Sequence, residues 1–330
     1  MLQTGDANPV IRKLDLASLP KEAITRLWIH LVTDALGQPV CAPVVVARGA
    51  HPGPVLGMTA AVHGNEINGI PVIQRMFADL DVSNLRGTLV GVLVVNVPSF
   101  LNETRRFVDG TDLNHIMPGK AHGNVSEIYA YRFVNNVIRH LDYLADLHTA
   151  SFGRINSYYI RADLRNASTA EMARVQNADI IVHNPPSDGT LRGAAAELGI
   201  PAITLEVGDP HTFQRGMIRS SLTGINNLLA VLGMTGEEVE APASPPVVCS
   251  DSHWIYAGMG GILRVMPDIT DHLIEGQEIA RLQNIFGEEL DTYRAPHAGI
   301  VIGKSVSPVC QTGDRILHLG TIDQEQAYPI

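Results

Sequence analysis

Cysteine is scarce in this 330-residue chain, and its three copies, Cys41, Cys249 and Cys310, lie far apart. They form no CxxC pair and no disulfide framework, which fits a reducing compartment. Long apolar runs are absent too, because no stretch reaches the roughly 18 residues that a membrane helix needs. The amino-terminal sequence MLQTGDANPVIRKLDL has no apolar signal-peptide core. These absences predict a cytoplasmic protein with no membrane partner.

Blocks of basic residues are also missing, and the net charge is −10. Nucleic acids and anionic membrane surfaces are therefore poor partners for this chain. With 45% hydrophobic and 18% charged residues, the chain can bury a large core. Its length predicts one large domain and a smaller one, and it leaves the oligomeric state open, a homo-oligomer included.

The tetrapeptide His63-Gly64-Asn65-Glu66 is the most informative motif in the sequence. It follows an apolar, strand-like run from Val55 to Val62 and precedes a helical pattern that extends to Leu80. A histidine and a carboxylate three positions apart, just after a buried strand, can bind one metal ion. A catalytic zinc typically takes three protein ligands and leaves one position open. On a helix, however, an HxxE pair also occurs by chance, so further ligands are needed to support a metal site.

Strand-like and helical patterns alternate over the first two thirds of the chain. Such alternation predicts an α/β fold with a mixed sheet flanked by helices. A helix is predicted over Asn65–Leu80, and a long polar segment runs from Asn96 to Gly123. Long segments of this kind are often functional.

A linker rich in Glu, Pro and Ala, Glu237 to Val248, marks a change of pattern. Beyond it, two stretches beginning at Gly261 and Gly299 resemble each other, each an apolar run followed by a polar turn and a second strand. This repeat predicts two packed β half-units in a small barrel or sandwich. We therefore predict a catalytic domain over residues 1–238 and an all-β domain over 239–330. The repeat resembles biotinyl/lipoyl-type domains, but no lysine lies between Arg281 and Arg294, which argues against a swinging-arm role.

Two further strand ends carry candidate catalytic side chains. His148 closes the strand that contains Asp146, and Glu206 lies near the end of another. Because the sites of α/β sheets gather at the carboxyl ends of strands, His148 is a candidate third ligand and Glu206 a candidate general base. Asp146 or a backbone carbonyl could orient the imidazole. The alternatives are a hydrogen-bonded strand-end histidine and a salt-bridged carboxylate.

The polar segment adds candidates for binding the substrate. An arginine near a metal could stabilise a tetrahedral oxyanion, and Arg105 and Arg106 lie side by side here. We select Arg106, which precedes Phe107, and expect Arg105 to be a solvated charge. Asn114 could bind a substrate carboxylate or amide, or could stabilise the loop. For His115, substrate contact and a structural role are equally open.

Taken in order, these residues resemble one family. The similarity runs from about residue 50 to 210 through the following motifs: His63-Gly64-Asn65-Glu66, Asn96-Val97-Pro98, Arg106-Phe107, Asp112-Leu113-Asn114, Asp146-Leu147-His148-Thr149 and Glu206. They look like the succinylglutamate desuccinylase/aspartoacylase family, a branch of the zinc carboxypeptidase clan. The resemblance implies a zinc-carboxypeptidase-like catalytic domain and one Zn²⁺ per chain.

The resemblance also implies roles for single residues. His63, Glu66 and His148 would bind zinc, and Glu206 would be the general base and proton shuttle. Arg106 would stabilise the oxyanion. Asn114 would lie near the substrate carboxylate. The implied activity is hydrolysis of the amide bond in a small N-acyl amino acid or related compound.

One departure from the family pattern concerns the substrate. The family usually has Asn-Arg where this chain has Asn114-His115, and an imidazole cannot bind a carboxylate bidentately as arginine does. Other arginines could take over this role, and the sequence offers Arg161, Arg165 and Arg192. Tyr293 is a weak candidate for the tyrosine that some clan members place over the substrate.

Two other functions compete with the deacylase interpretation. One is a carboxypeptidase acting on peptides, against which the appended β domain argues, because in the family it narrows access to the site. The other is a non-catalytic metal-binding relative, against which the presence of Glu206 argues. A His₂Glu ligand set also accepts Co²⁺ or Mn²⁺, so the residues alone do not select zinc.

Overall fold

The computed structural model describes residues 8–187, 189–242 and 244–323. The first seven residues of the stretch that was searched for a signal peptide therefore lie outside the described residues, as does position 243 in the linker. Among the described residues, none of the helices is both long and apolar enough to span a membrane.

The described strands and helices are numbered in chain order. The strands are β1 (Val10–Ile11), β2 (Ala23–Thr33), β3 (Pro39–Arg48), β4 (His51–Ala60), β5 (Arg86–Val92), β6 (Tyr143–His148), β7 (Arg154–Asn156), β8 (Tyr158–Ala162), β9 (Ile180–His183), β10 (Ala202–Val207), β11 (Val247–Tyr256), β12 (Gly261–Val265), β13 (His272–Leu273), β14 (Glu278–Gln283), β15 (Glu289–Arg294), β16 (Gly299–Ser305), β17 (Val309–Cys310) and β18 (Arg315–Ile322). The α-helices are α1 (Gly69–Asp79), α2 (Val97–Leu101), α3 (Val125–Asn136), α4 (Ala167–Arg174), α5 (Leu191–Glu197) and α6 (Arg215–Val231). Short 3-10 helices lie at Leu16–Ser18, Leu113–His115 and Ile138–His140.

A mixed sheet forms the centre of the molecule. Its strand order is β1-β2-β3-β5-β4-β6-β10-β8-β9-β11-β18-β16-β13, and β7 pairs with β16. Strands β4, β6 and β10 are parallel neighbours, and their register places Glu206 beside His148. Helices α1 and α6 pack in one apolar core and α3 and α5 in another. Because side chains alternate along each strand, the two cores cover opposite faces of the sheet. The predicted α/β class is confirmed.

The carboxyl-terminal part is all-β, as predicted. Strands β15, β14, β12 and β17 form a separate antiparallel sheet, while β11, β18, β16 and β13 extend the large sheet. The junction is the parallel pairing of β11 with β9, where Val247 lies opposite Ile180. The large sheet therefore continues across the predicted linker, and a division of the chain after residue 238 stays a prediction.

The helix predicted over Asn65–Leu80 begins later, at Gly69. Tertiary contacts hold the preceding residues in a turn. The Asn68 side-chain amide donates to the carbonyl of Val207 at 2.7 Å, and the position of a Cβ on Gly64 would lie 2.1 Å from the backbone carbon of Ser99. These contacts leave the motif residues in a turn after β4.

Candidate metal centre and active site

Three buried side chains meet at the carboxyl ends of two adjacent parallel strands. His63 and Glu66 lie in the turn after β4, and His148 is the last residue of β6. The ligand atoms of these residues lie within 4.8 Å of one another. The structure thus brings together the three residues that the sequence analysis selected as metal ligands.

The imidazole of His63 is oriented by a carboxylate from the polar segment. Its Nε2 lies 3.0 Å from Oδ1 of Asp112, in hydrogen-bond geometry. Its buried Nδ1 has no hydrogen-bond partner, although it lies 2.9 Å from Oε1 of Glu66. Since the Asp112 carboxylate accepts the Nε2 proton, the lone pair on Nδ1 is directed toward Glu66, as expected for two ligands of one ion.

His148 is held in the same way. Its Nε2 lies 2.8 Å from Oδ2 of Asp146, and its Nδ1 lies 2.8 Å from Oε2 of Glu66. The hydroxyl of Thr59 donates to the other oxygen of Asp146 at 2.6 Å. The sequence analysis named Asp146 for this contact, but it missed Asp112 as the partner of His63. The spacing of Asp112 from His63 along the chain carries no signal of their contact.

The electrostatics of the cluster suit a cation. Burial raises the pKa of Glu66, but His63 and His148 outweigh burial and hold that pKa well below its usual range. Burial lowers the pKa of His148, yet Asp146 and Glu66 raise it well above its usual value. Three carboxylates thus surround two imidazoles, and Asp112 is among them. A divalent ion would compensate this buried negative charge.

Glu206 lies on β10 beside these ligands. Its Oε2 accepts a hydrogen bond from the side-chain amide of Asn156 at 3.2 Å. Its Oε1 lies 3.5 Å from Nε of Arg161, whose guanidinium also donates to the hydroxyl of Tyr159 at 2.6 Å. The carboxylate is therefore fixed from β7 and β8 at the edge of the sheet where the metal ligands lie.

Of the two neighbouring arginines, Arg105 was expected to be a solvated charge, but it is held by carboxylates. Nη1 of Arg105 lies 2.8 Å from Oε1 of Glu66, and its Nε lies 2.9 Å from Oδ2 of Asp112. Arg106 is exposed, lines the cavity and has no ion pair among the described residues. Arg105 is thus bound to the ligand cluster, while Arg106 is available to a substrate.

Asn114 and His115 lie on the 3-10 helix in the polar segment, and both line the cavity. Oδ1 of Asn114 accepts a hydrogen bond from the backbone NH of Leu191 at 2.8 Å, which ties the segment to the start of α5. His115 is exposed. Asn114 therefore has a structural contact through its side-chain oxygen and also lines the cavity.

A cavity of about 690 Å³ extends outward from these residues. Its walls come from the catalytic part of the chain and from the carboxyl-terminal strands, which contribute Trp254 and Arg315. Arg161 and Arg192 line it, whereas Arg165 bonds to Asp163 outside the described lining.

The weak candidate Tyr293 accepts a hydrogen bond from the backbone NH of Gly258 at 3.0 Å. Among the described residues, the tyrosines that line the cavity are Tyr159 and Tyr256.

Fold and site together define an α/β protein with a candidate metal centre at the carboxyl ends of parallel strands. Residues 52–232 match the model of the succinylglutamate desuccinylase/aspartoacylase catalytic domain. The chain therefore belongs to the succinylglutamate desuccinylase/aspartoacylase family, as the motifs predicted.

Individual relatives agree with this assignment. The chain is 25% identical over 296 residues to N-alpha-acetyl-L-2,4-diaminobutyric acid deacetylase of Halomonas elongata. This alignment covers 86% of each protein. It is 30% identical over 173 residues to succinylglutamate desuccinylase of Pseudomonas paraeruginosa, which covers 47% of this chain and 51% of the relative.

Solved structures show the same fold. A product-bound ectoine utilization protein of Ruegeria pomeroyi superposes with a TM-score of 0.84 at 22% identity, over 96% of this chain and 100% of that one. A succinylglutamate desuccinylase of Silicibacter sp. superposes with a TM-score of 0.82 at 22% identity, over 93% and 98%.

Proposed function

We propose that the protein is a zinc-dependent hydrolase that cleaves the amide bond of a small N-acyl amino acid or related compound. The observation that carries this proposal is the cluster of His63, Glu66 and His148, whose ligand atoms lie within 4.8 Å of one another. Glu206 lines the same cavity. The names of the relatives, a deacetylase and desuccinylases, support hydrolysis of an N-acyl amide.

In this proposal one Zn²⁺ per chain would be held by His63, His148 and Glu66. The donor set fits, because Asp112 and Asp146 orient both imidazoles toward Glu66. When bound, zinc would polarise the substrate carbonyl and lower the pKa of a water molecule.

The protein side chains supply the proton transfers. Glu206 accepts a proton from the attacking water and later donates it to the leaving amine. The carbon–nitrogen bond breaks, and the products are a carboxylic acid and a free amino group. Arg106 donates to the developing oxyanion, and Asn114 and His115 contact the bound substrate. The partner is thus a small molecule.

The test is a panel of N-acyl amino acids, with dipeptides beside them, assayed with protein of measured metal content. Glu206→Ala should lower kcat at least about a hundredfold and keep its metal, because general-base catalysis contributes this much. His63→Ala should lose the metal. Glu197→Ala, an exposed carboxylate on α5, is the matched control and should behave as wild type.

Three outcomes would contradict the proposal. Faster hydrolysis of dipeptides would indicate a peptidase. Equal activity of Glu206→Ala and the wild type would exclude Glu206 as the base. Unchanged metal content in His63→Ala would remove the assigned site.

A further inference from the structure

A stack of cationic and aromatic side chains, Phe152, Arg154, Trp254 and Arg315, lines part of the cavity. The guanidinium of Arg154, on β7, lies 5.5 Å from the ring centroid of Phe152 and 5.4 Å from that of Trp254, on β11. Arg315, on β18, lies 5.1 Å from the same Trp254 ring. Such contacts fix the plane of a guanidinium and leave its N–H edge free. The stack thus presents two oriented cations to the cavity.

These two arginines differ from three others that line the cavity, Arg105, Arg161 and Arg192. Arg105 is paired with carboxylates, Arg161 contacts Glu206 and Tyr159, and Arg192 donates to the carbonyl of Asn184. The sequence analysis offered Arg161, Arg165 and Arg192 in place of the family arginine at position 115. The side chains of all three have partners within the protein, since Arg165 binds Asp163.

Neither Arg154 nor Arg315 has a hydrogen bond or ion pair through its side chain in the part of the chain that the structure describes. Both line the cavity, so their donors are open to a bound molecule.

The charges of these arginines favour an anion between them. Burial and the nearby guanidinium of Arg315 lower the pKa of Arg154 to about 10. Arg154 is therefore charged at neutral pH but repelled by its neighbours, and a bound anion would relieve this repulsion. Carboxylates match the planar donor edge of a guanidinium bidentately.

A neighbouring aromatic ring holds the indole of Trp254 in place. The ring of His318 stacks on the indole at 4.7 Å with an angle of 9° between the planes. Burial, followed by Arg161 and Arg315, holds the pKa of His318 well below its usual value, so this imidazole adds no positive charge. The cations of this subsite are thus the two arginines.

We propose that Arg154 and Arg315, stacked on Trp254, bind the free carboxylate of the substrate in the cavity. The proposal rests on the proposed deacylase function and deepens it, because it specifies substrates that carry a carboxylate. It also assigns part of the specificity to strands that follow the linker.

Binding can be measured without turnover. The chain has two tryptophans, Trp28 and Trp254, so in a Trp28→Phe background the fluorescence reports on Trp254. Titration with succinate should give a saturable change, whereas the neutral analogue succinamide should not. Arg154→Ala and Arg315→Ala in this background should weaken succinate binding at least about tenfold, because each removes a charge-assisted hydrogen bond.

Two variants serve as controls. Arg154→Lys should retain part of the affinity, since it keeps the charge but not the bidentate edge. Arg219→Ala, an exposed arginine on α6 away from the cavity, should bind as the parent does. Circular dichroism and metal content should match the parent in every variant compared.

A kinetic arm links the subsite to catalysis. For N-acetylglycine, Arg315→Ala should raise KM about tenfold or more, while KM for N-acetylglycinamide should not change. Parent-like succinate binding by both alanine variants, or equal binding of succinate and succinamide, would overturn the subsite. Loss of hydrolysis across the whole substrate panel with succinate binding intact would instead overturn the deacylase function alone.

Discussion

At the scale of single residues, the proposed metal centre would depend on side chains that are not themselves ligands. Asp112 accepts the Nε2 proton of His63 and also binds Arg105, which contacts Glu66. Burial raises the pKa of Asp112, but His63 and Arg105 outweigh burial and lower it. A charged carboxylate at this position therefore holds the ring of His63 in the orientation that a metal ligand needs.

Asp112→Asn should weaken zinc binding by about ten- to a hundredfold, because the amide keeps the shape but loses the charge that supports His63 and Arg105. Competition with a chromophoric chelator measures the dissociation constant. Asp79→Asn, at an exposed position of α1, is the control and should bind zinc as the wild type does. Equal affinity of Asp112→Asn and the wild type would mean that this contact does not support the ligand.

The clustering of the three proposed ligands could be predicted from sequence because each member follows or ends an apolar strand. The register of β4, β6 and β10 then brings His63, Glu66, His148 and Glu206 to one edge. The choice between Arg105 and Arg106 could not be made in the same way. The conformation of the polar segment decides which of two adjacent side chains turns inward, and no periodicity encodes it.

At the scale of elements, the position of Glu206 depends on a close approach of two strands. Strand β7 carries Asn156, which holds Glu206, and pairs with β16 at Gly303. A Cβ at Gly303 would lie 2.3 Å from Oδ1 of Asn156 and 2.9 Å from the carbonyl oxygen of Ile155. Glycine at this position therefore lets the carboxyl-terminal strands support the proposed base.

Gly303→Ala should lower kcat roughly ten- to a hundredfold with unchanged metal content, because it displaces Asn156 and hence Glu206. Asn156→Ala should give a similar loss of kcat. Gly258→Ala is a matched control, since its Cβ would meet no described atom closer than the Tyr293 hydroxyl at 4.0 Å. A variant at Gly303 that is folded by circular dichroism and has wild-type kcat would refute the coupling.

The sequence predicted the alternation of elements but not this contact between strands. Helical spacing from Ile67 onward predicted the carboxyl end of α1 correctly. The helix begins only at Gly69, because the side chain of Asn68 is hydrogen-bonded to distant parts of the chain. Likewise, the pairing of β7 with β16 joins parts of the chain that are separated by the predicted linker. Long-range pairing of this kind follows from packing and not from local pattern.

At the scale of the whole molecule, the proposed metal ion joins separate parts of the chain. It would link the turn after β4 to the end of β6, and the associated carboxylates extend the cluster to the polar segment. The buried Nδ1 of His63 has no hydrogen-bond partner among the described residues, and a bound ion would coordinate it. Metal binding should therefore stabilise the folded protein.

Removal of metal with a chelator should lower Tm by about 5 °C relative to protein with zinc at a hundred times its dissociation constant. Differential scanning calorimetry measures the shift. His63→Ala should show no change in Tm on addition of zinc, because it lacks a ligand. The same rise in both proteins would place the stabilising ion at another position.

The three proposed metal ligands all precede the linker, whereas Trp254 and Arg315 follow it. The proposed carboxylate subsite therefore combines residues from both sides of the linker, because Arg154 precedes it. Substitutions at Trp254 or Arg315 should therefore change which compounds bind in the cavity without altering the proposed metal ligands. Part of the divergence of substrate range among relatives should accordingly lie downstream of the linker.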